Sequence, residues 1–120
     1  MGGVKASAAL FEQLGNALKT EAADFTKKIK GLVVFKIDDT TWVLDLKEGG
    51  RGEVYQGPVK DNESADLTLT ISDTDFVRLV MGKISAQQAF LMRKLKITGS
   101  MGMAMKLTPV LEAAQPKGKL

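Results

Sequence analysis

Cysteine and histidine are both missing from this chain of 120 residues. Their absence excludes thiolate nucleophiles, disulfides, zinc sites built on sulfur or imidazole, and every histidine-based triad together. Acid-base chemistry would fall to carboxylates, lysines, hydroxyls or the one tyrosine, which serve only with strongly tuned neighbours. The chain therefore reads as a non-enzyme, and no cofactor or metal is expected. Aromatic residues make up only 6%, and no basic segment interleaves them as base stacking requires. No run of five like charges occurs and the net charge is a mild +3, so no nucleic-acid partner is expected. Nor does any stretch approach the ~18 to 20 consecutive apolar residues that span a bilayer. The first residues lack the apolar core of a secretory signal, which leads us to expect a soluble intracellular protein.

What is present reads as one domain over residues 1–120, with 1–6 and 115–120 as flexible ends. Gly2 invites myristoylation, but Ala6 stands where that motif wants Ser or Thr. From Ser7 to Thr20 the residues Leu10, Phe11, Leu14, Ala17 and Leu18 share a helical stripe, and a second helix is predicted from Ala22 to Lys30, stopped by Gly31. Lys27, Lys28 and Lys30 form the densest cationic cluster, either a solvated face or a transient contact with a membrane surface.

The period then changes. Leu32–Ile37 is a β-rich run, Asp38-Asp39-Thr40 supplies turn chemistry, and Trp42, Leu44 and Leu46 alternate with Val43, Asp45 and Lys47. This predicts a hairpin buried on one face and mostly wet on the other. Short strands follow at Glu53–Gln56 and Leu67–Ile71. Ser72 opens a helix closed by Gly82, Ser85 and Gln88 have capping-box spacing, Lys94–Thr98 alternates again, and Ser100 caps a last helix that Pro109 must kink or break. Grouped strands and grouped helices favour an α+β fold, a five-stranded, mainly antiparallel sheet covered on one face by about five helices.

The helices after Ile71 are more apolar than a cover for one sheet face needs, and five of the six methionines lie there. Methionine is unbranched and adaptable, so this layer either fills a core or lines a site for ligands of varied shape.

Four segments, in order, carry a resemblance: Lys27-Lys28-Ile29 running through Gly31 to Phe35-Lys36-Ile37; Trp42-Val43-Leu44-Asp45-Leu46-Lys47 before a glycine turn; Leu79-Val80-Met81-Gly82-Lys83-Ile84 leading to Gln87, Ala89 and Phe90; and Lys94 to Gly102 leading to Ala104-Met105-Lys106-Leu107. From about Leu10 to Leu120 the chain resembles the sterol carrier protein-2 family of non-specific lipid-transfer proteins. The resemblance implies a hydrophobic tunnel that takes fatty acids, fatty acyl-CoA and sterols, and a monomer that binds and transfers or presents them without catalysis. Its alternative is an accessory lipid-binding domain of a larger peroxisomal β-oxidation enzyme.

Carried over by position, the implied tunnel wall includes Phe35, Val80, Phe90, Leu91, Ile97 and Met105, with Gln87 and Thr108 at the mouth. Gln87 either hydrogen-bonds a headgroup there or is a solvated polar residue in a first helical turn. The final Gly118-Lys119-Leu120 resembles the family's peroxisomal address, with glycine where serine or alanine is usual. An import receptor is thus the implied partner, and the implied residence is the peroxisome, with some protein in the cytoplasm. The connection Asp38 to Thr41 is shorter than in many relatives. A third class of function, hydrolysis or isomerisation by Asp45 or Asp66, conflicts with the strand alternation, which puts both carboxylates on the wet face.

Overall fold

In the computed structural model the described residues are 6–47, 52–57, 59 and 64–113. The first element is a single helix, α1 (Ala6–Ile29), where the sequence pattern predicts two. Residues 19–24 contain neither glycine nor proline, and the one β-branched hydroxyl among them is absorbed. Thr20 Oγ1 donates to the Ala17 carbonyl at 3.4 Å, so it bonds along the helix and leaves it unbroken. Leu10, Phe11, Leu14, Ala17, Leu18, Phe25 and Ile29 are all buried along one stripe. The stop also differs from expectation. Lys30, at φ 53°, takes the left-handed position and donates its N–H to the Thr26 carbonyl at 2.9 Å, while Gly31 already belongs to the next strand. Gly31 packs closely under α4: a Cβ there would lie 2.5 Å from Met103 Cε and 3.0 Å from an Asp66 carboxylate oxygen, so the flexible end of Met103 would have to swing aside.

The strands are β1 (Gly31–Ile37), β2 (Thr40–Leu46), β3 (Glu53–Gln56), β4 (Leu67–Ile71) and β5 (Leu95–Gly99). They form one sheet in the order β3-β2-β1-β4-β5. β1 and β2 make the predicted hairpin, with Ile37 opposite Thr40 and Asp38 at φ 53° in the turn, a conformation aspartate tolerates. β4 does not continue the meander. It crosses to lie parallel to β1, Val33 opposite Leu67 and Ile37 opposite Ile71, and β5 then pairs antiparallel with it. The sheet is mixed, with the parallel pair at its centre.

Four further helices, α2 (Asp73–Val80), α3 (Ala86–Leu91), α4 (Met101–Met105) and α5 (Thr108–Ala113), join α1 over one face. The last helical stretch is divided. Lys106 and Leu107 close α4 with short-range bonds to Met103 and Ala104, and Pro109 falls in the first turn of α5, where an N–H has no helical acceptor to lose.

The opposite face is less wet than the alternation predicts. Leu32, Val34 and Val43 are buried there, with Tyr55, Val59 and Ala65 packed against them. The chain between β3 and β4 supplies Val59 and Ala65. It is held by Asp66, whose carboxylate accepts the Leu32 N–H at 2.9 Å and whose own N–H reaches the Leu32 carbonyl at 2.8 Å. A local period of two cannot register a cover brought by a later crossover.

Candidate functional site

Between helices and sheet, the centre is aromatic and closed. Phe11 of α1 stacks on Trp42 of β2 and on Phe76 of α2 at 4.7 and 4.9 Å, and meets Phe35 of β1 edge-on at 5.2 Å. Phe35 also meets Phe76 edge-on at 5.8 Å. These offset and perpendicular contacts are the favoured ring geometries. Phe35 is thus wedged inside this quartet and lines none of the described cavities, while Val80, also buried, does.

That cavity, about 220 Å³, opens where the end of α2, the start of α3 and α5 converge, and is lined by Leu79, Val80, Ile84, Ala86, Thr108, Leu111 and Glu112 among others. Local chemistry fixes each wall. Ser72 caps α2, its hydroxyl accepting the Asp75 N–H at 3.1 Å, which sets the helix phase that buries Phe76, Leu79 and Val80. Gly82, at φ 79°, turns the chain out of α2, and Ser85 Oγ accepts the Gln88 N–H at 3.0 Å to start α3. On α5, Thr108, Leu111 and Glu112 stand at i, i+3 and i+4, on one face. The lining is apolar within and carries hydroxyls and one carboxylate at its edge.

Of two shallower depressions, one adjoins it. That one, of about 330 Å³, shares Ile84 with the first and is ringed by Arg78, Lys83, Gln88, Met92 and Lys94. The other, about 510 Å³, is lined by Phe90, Leu91, Arg93, Leu95 and Lys96.

The residues implied by resemblance are therefore dispersed. Val80 and Thr108 meet in the 220 Å³ cavity, whereas Phe90 and Leu91 line the outer depression and are exposed. Ile97 is half-buried against the core, Met105 is exposed on α4, and Gln87 is exposed in the first turn of α3. Ala86 and Glu112 line the cavity yet carry no sequence signal, because an alanine and a helical glutamate are common on any surface. Gly118, Lys119 and Leu120 lie outside the described residues.

The two strand carboxylates are both engaged in structure. Asp66 straps the β3–β4 connection, and Asp45 accepts the Lys47 N–H at 3.2 Å and pairs with its ammonium at 3.8 Å.

Residues 11–112 match the SCP-2 sterol transfer family. Sterol carrier protein 2 of Homo sapiens is 42% identical over 104 residues, covering 82% of this chain and 18% of the human protein. Peroxisomal multifunctional enzyme type 2 of Mus musculus is 39% identical over 116 residues, covering 92% and 15% respectively. The chain thus spans less than a fifth of the length of these curated relatives. Among solved structures, sterol carrier protein 2 from Yarrowia lipolytica, in its apo form, superposes with a TM-score of 0.77 at 32% identity, over 88% of each chain. The Aedes aegypti protein in complex with palmitate shares the fold at 20% identity and a TM-score of 0.67, over 88% of this chain and 93% of that one. Family match, curated relatives and fold agree, and this chain belongs to the SCP-2 sterol transfer family.

Proposed function

We propose that this protein binds the apolar tail of a fatty acid, fatty acyl-CoA or sterol in the cavity between α2, α3 and α5, and transfers or presents it without chemical change. The observation that carries the reading is that cavity, whose apolar wall of Leu79, Val80, Ile84 and Leu111 belongs to or packs on the main core between helices and sheet. The palmitate held by the Aedes aegypti relative supports a fatty-acyl ligand.

At about 220 Å³ the cavity is smaller than the ~300 to 1,000 Å³ typical of ligand sites. A long chain therefore enters by widening it. The adaptable thioethers of Met81 and Met103, both packed against the core, and the short α5 are the parts that yield. As the chain extends inward, the wall comes to include Phe35, Val80 and Ile97, with Phe90, Leu91 and Met105 on the outer side and Gln87 and Thr108 at the mouth. Each methylene taken from water is worth ~0.8 kcal/mol, so shape-tolerant burial suffices for affinity. The headgroup sits away from the Glu112 carboxylate, in the adjoining depression ringed by Arg78, Lys83 and Lys94.

The relatives named as peroxisomal enzymes support peroxisomal residence, with Gly118-Lys119-Leu120 as the receptor-read address. They equally suit the second reading, a lipid-binding module serving a neighbouring catalytic domain.

Titration with a fluorescent fatty acid tests the proposal. Ala86→Phe, which fills the cavity from the first turn of α3, should weaken binding at least tenfold while thermal unfolding stays near wild type. Saturable binding equal in both proteins would place the ligand elsewhere.

A further inference from the structure

All the large apolar side chains that stand exposed among the described residues fall within a short stretch of the sequence. Phe90, Leu91 and Met92 end α3 at 39, 70 and 54% exposure, and Met101 and Met105 stand out from α4, which packs beside α3 and β5. Such concentration on one side of a small domain marks a contact surface.

The apolar trio runs directly into Arg93, Lys94 and Lys96, and Phe90, Leu91, Arg93, Leu95 and Lys96 line one depression of about 510 Å³. Two more cations, Arg78 and Lys83, share the neighbouring depression with Met92 and Lys94. Acids near this rim are few. Asp38 lines the cleft that holds Arg93, Lys94 and Lys96, and Asp75 pairs with Arg78 at 3.7 Å.

Arg93 is a second, independent sign. The end of α3 is a Schellman motif: the Lys94 N–H reaches the Ala89 carbonyl at 2.8 Å, the Arg93 N–H reaches the Phe90 carbonyl at 3.1 Å, and Arg93 holds φ 62°. Glycine is favoured at that left-handed position. Arginine stands there against backbone preference, as Lys30 does after α1, and its side chain is exposed at the edge of the apolar knob.

We infer that the α3–β5 corner is a docking surface for an anionic lipid bilayer, with Phe90, Leu91 and Met92 entering the interface and Arg93, Lys94 and Lys96 held at the headgroups. Apolar insertion rimmed by cations is the pattern of reversible interfacial binding. The long lysine and arginine stems reach phosphates while their carbons follow the apolar surface down. The corner lies beside the mouth of the cavity, since Met92 and Lys94 share a depression with Ile84, so a docked protein would present its cavity to the bilayer. Docking itself does not rest on the fatty-acid reading and is measured on the empty protein.

The test is flotation with vesicles of phosphatidylcholine alone and of phosphatidylcholine with 30% phosphatidylserine, taken as roughly the anionic content of a charged leaflet. Wild type should bind the anionic vesicles, release in high salt, and ignore the neutral ones. Leu91→Asp should lower partitioning more than tenfold, and Arg93→Gly about fivefold while its thermal midpoint holds or rises. Equal binding by wild type and both variants, or no binding by wild type, overturns the inference. So does a Leu91→Asp variant that floats normally but changes mass in sedimentation velocity, which would make the corner a protein-protein contact. Fatty-acid titration in free solution should be unchanged in Arg93→Gly, whose side chain lies outside the proposed ligand wall, and this separates failure of docking from failure of the cavity.

Discussion

Phe11 is a side chain on which the helical layer and the sheet both bear. It is 1% exposed and touches one ring from each of β1, β2 and α2. Truncating it leaves a void among rigid rings that cannot collapse, so Phe11→Ala should destabilise the fold by ~3 to 5 kcal/mol in urea unfolding. At the site, Lys83 makes the complementary prediction. Lys83→Glu reverses one charge in the headgroup depression and should weaken fatty acid or acyl-CoA binding several-fold, on the scale of ~1 kcal/mol. A neutral sterol should bind as before, which fluorescence competition would read.

At the scale of elements, the strands and caps were readable because their signals are local. Leu67–Ile71 alternates strictly, and Ser72, Ser85 and Ser100 each accept an N–H three residues on. The joining of two predicted helices into α1 was not readable from a threonine whose hydroxyl can bond either way. The cover over Leu32, Val34 and Val43 was not readable either, since it depends on Asp66 meeting Leu32 across the sheet. Asp66→Ala should therefore cost ~1 to 3 kcal/mol by orphaning the Leu32 N–H, and hydrogen exchange should show that amide losing protection first. At the candidate site Val80 and Thr108 line one cavity, but Phe90 and Leu91 stand exposed in the last turn of α3, because a six-residue helix can bury only one side and Ala89 takes it.

For the whole molecule, the Cα radius of gyration of 13.3 Å is that of a closed domain of this length. A ligand held in such a domain should act as a folding partner. At a hundred times its Kd, a fatty acid should add ~2.7 kcal/mol and raise the thermal midpoint by roughly 10 °C. A midpoint that ignores saturating fatty acid would contradict a buried tail.

The parallel seam between β1 and β4 has a kinetic consequence. Leu32 and Asp66 stand 34 residues apart, and among the described residues no helix stands between them to shorten the search. The hairpin can close early on its own turn, but β4 and the helices that follow it gain their places only after that long loop closes. Closing that loop is thus one of the slow, non-local steps that folding must pass. A chain that has not yet closed it carries a finished hairpin with the β1 edge open, the form most exposed to pairing with another chain during synthesis.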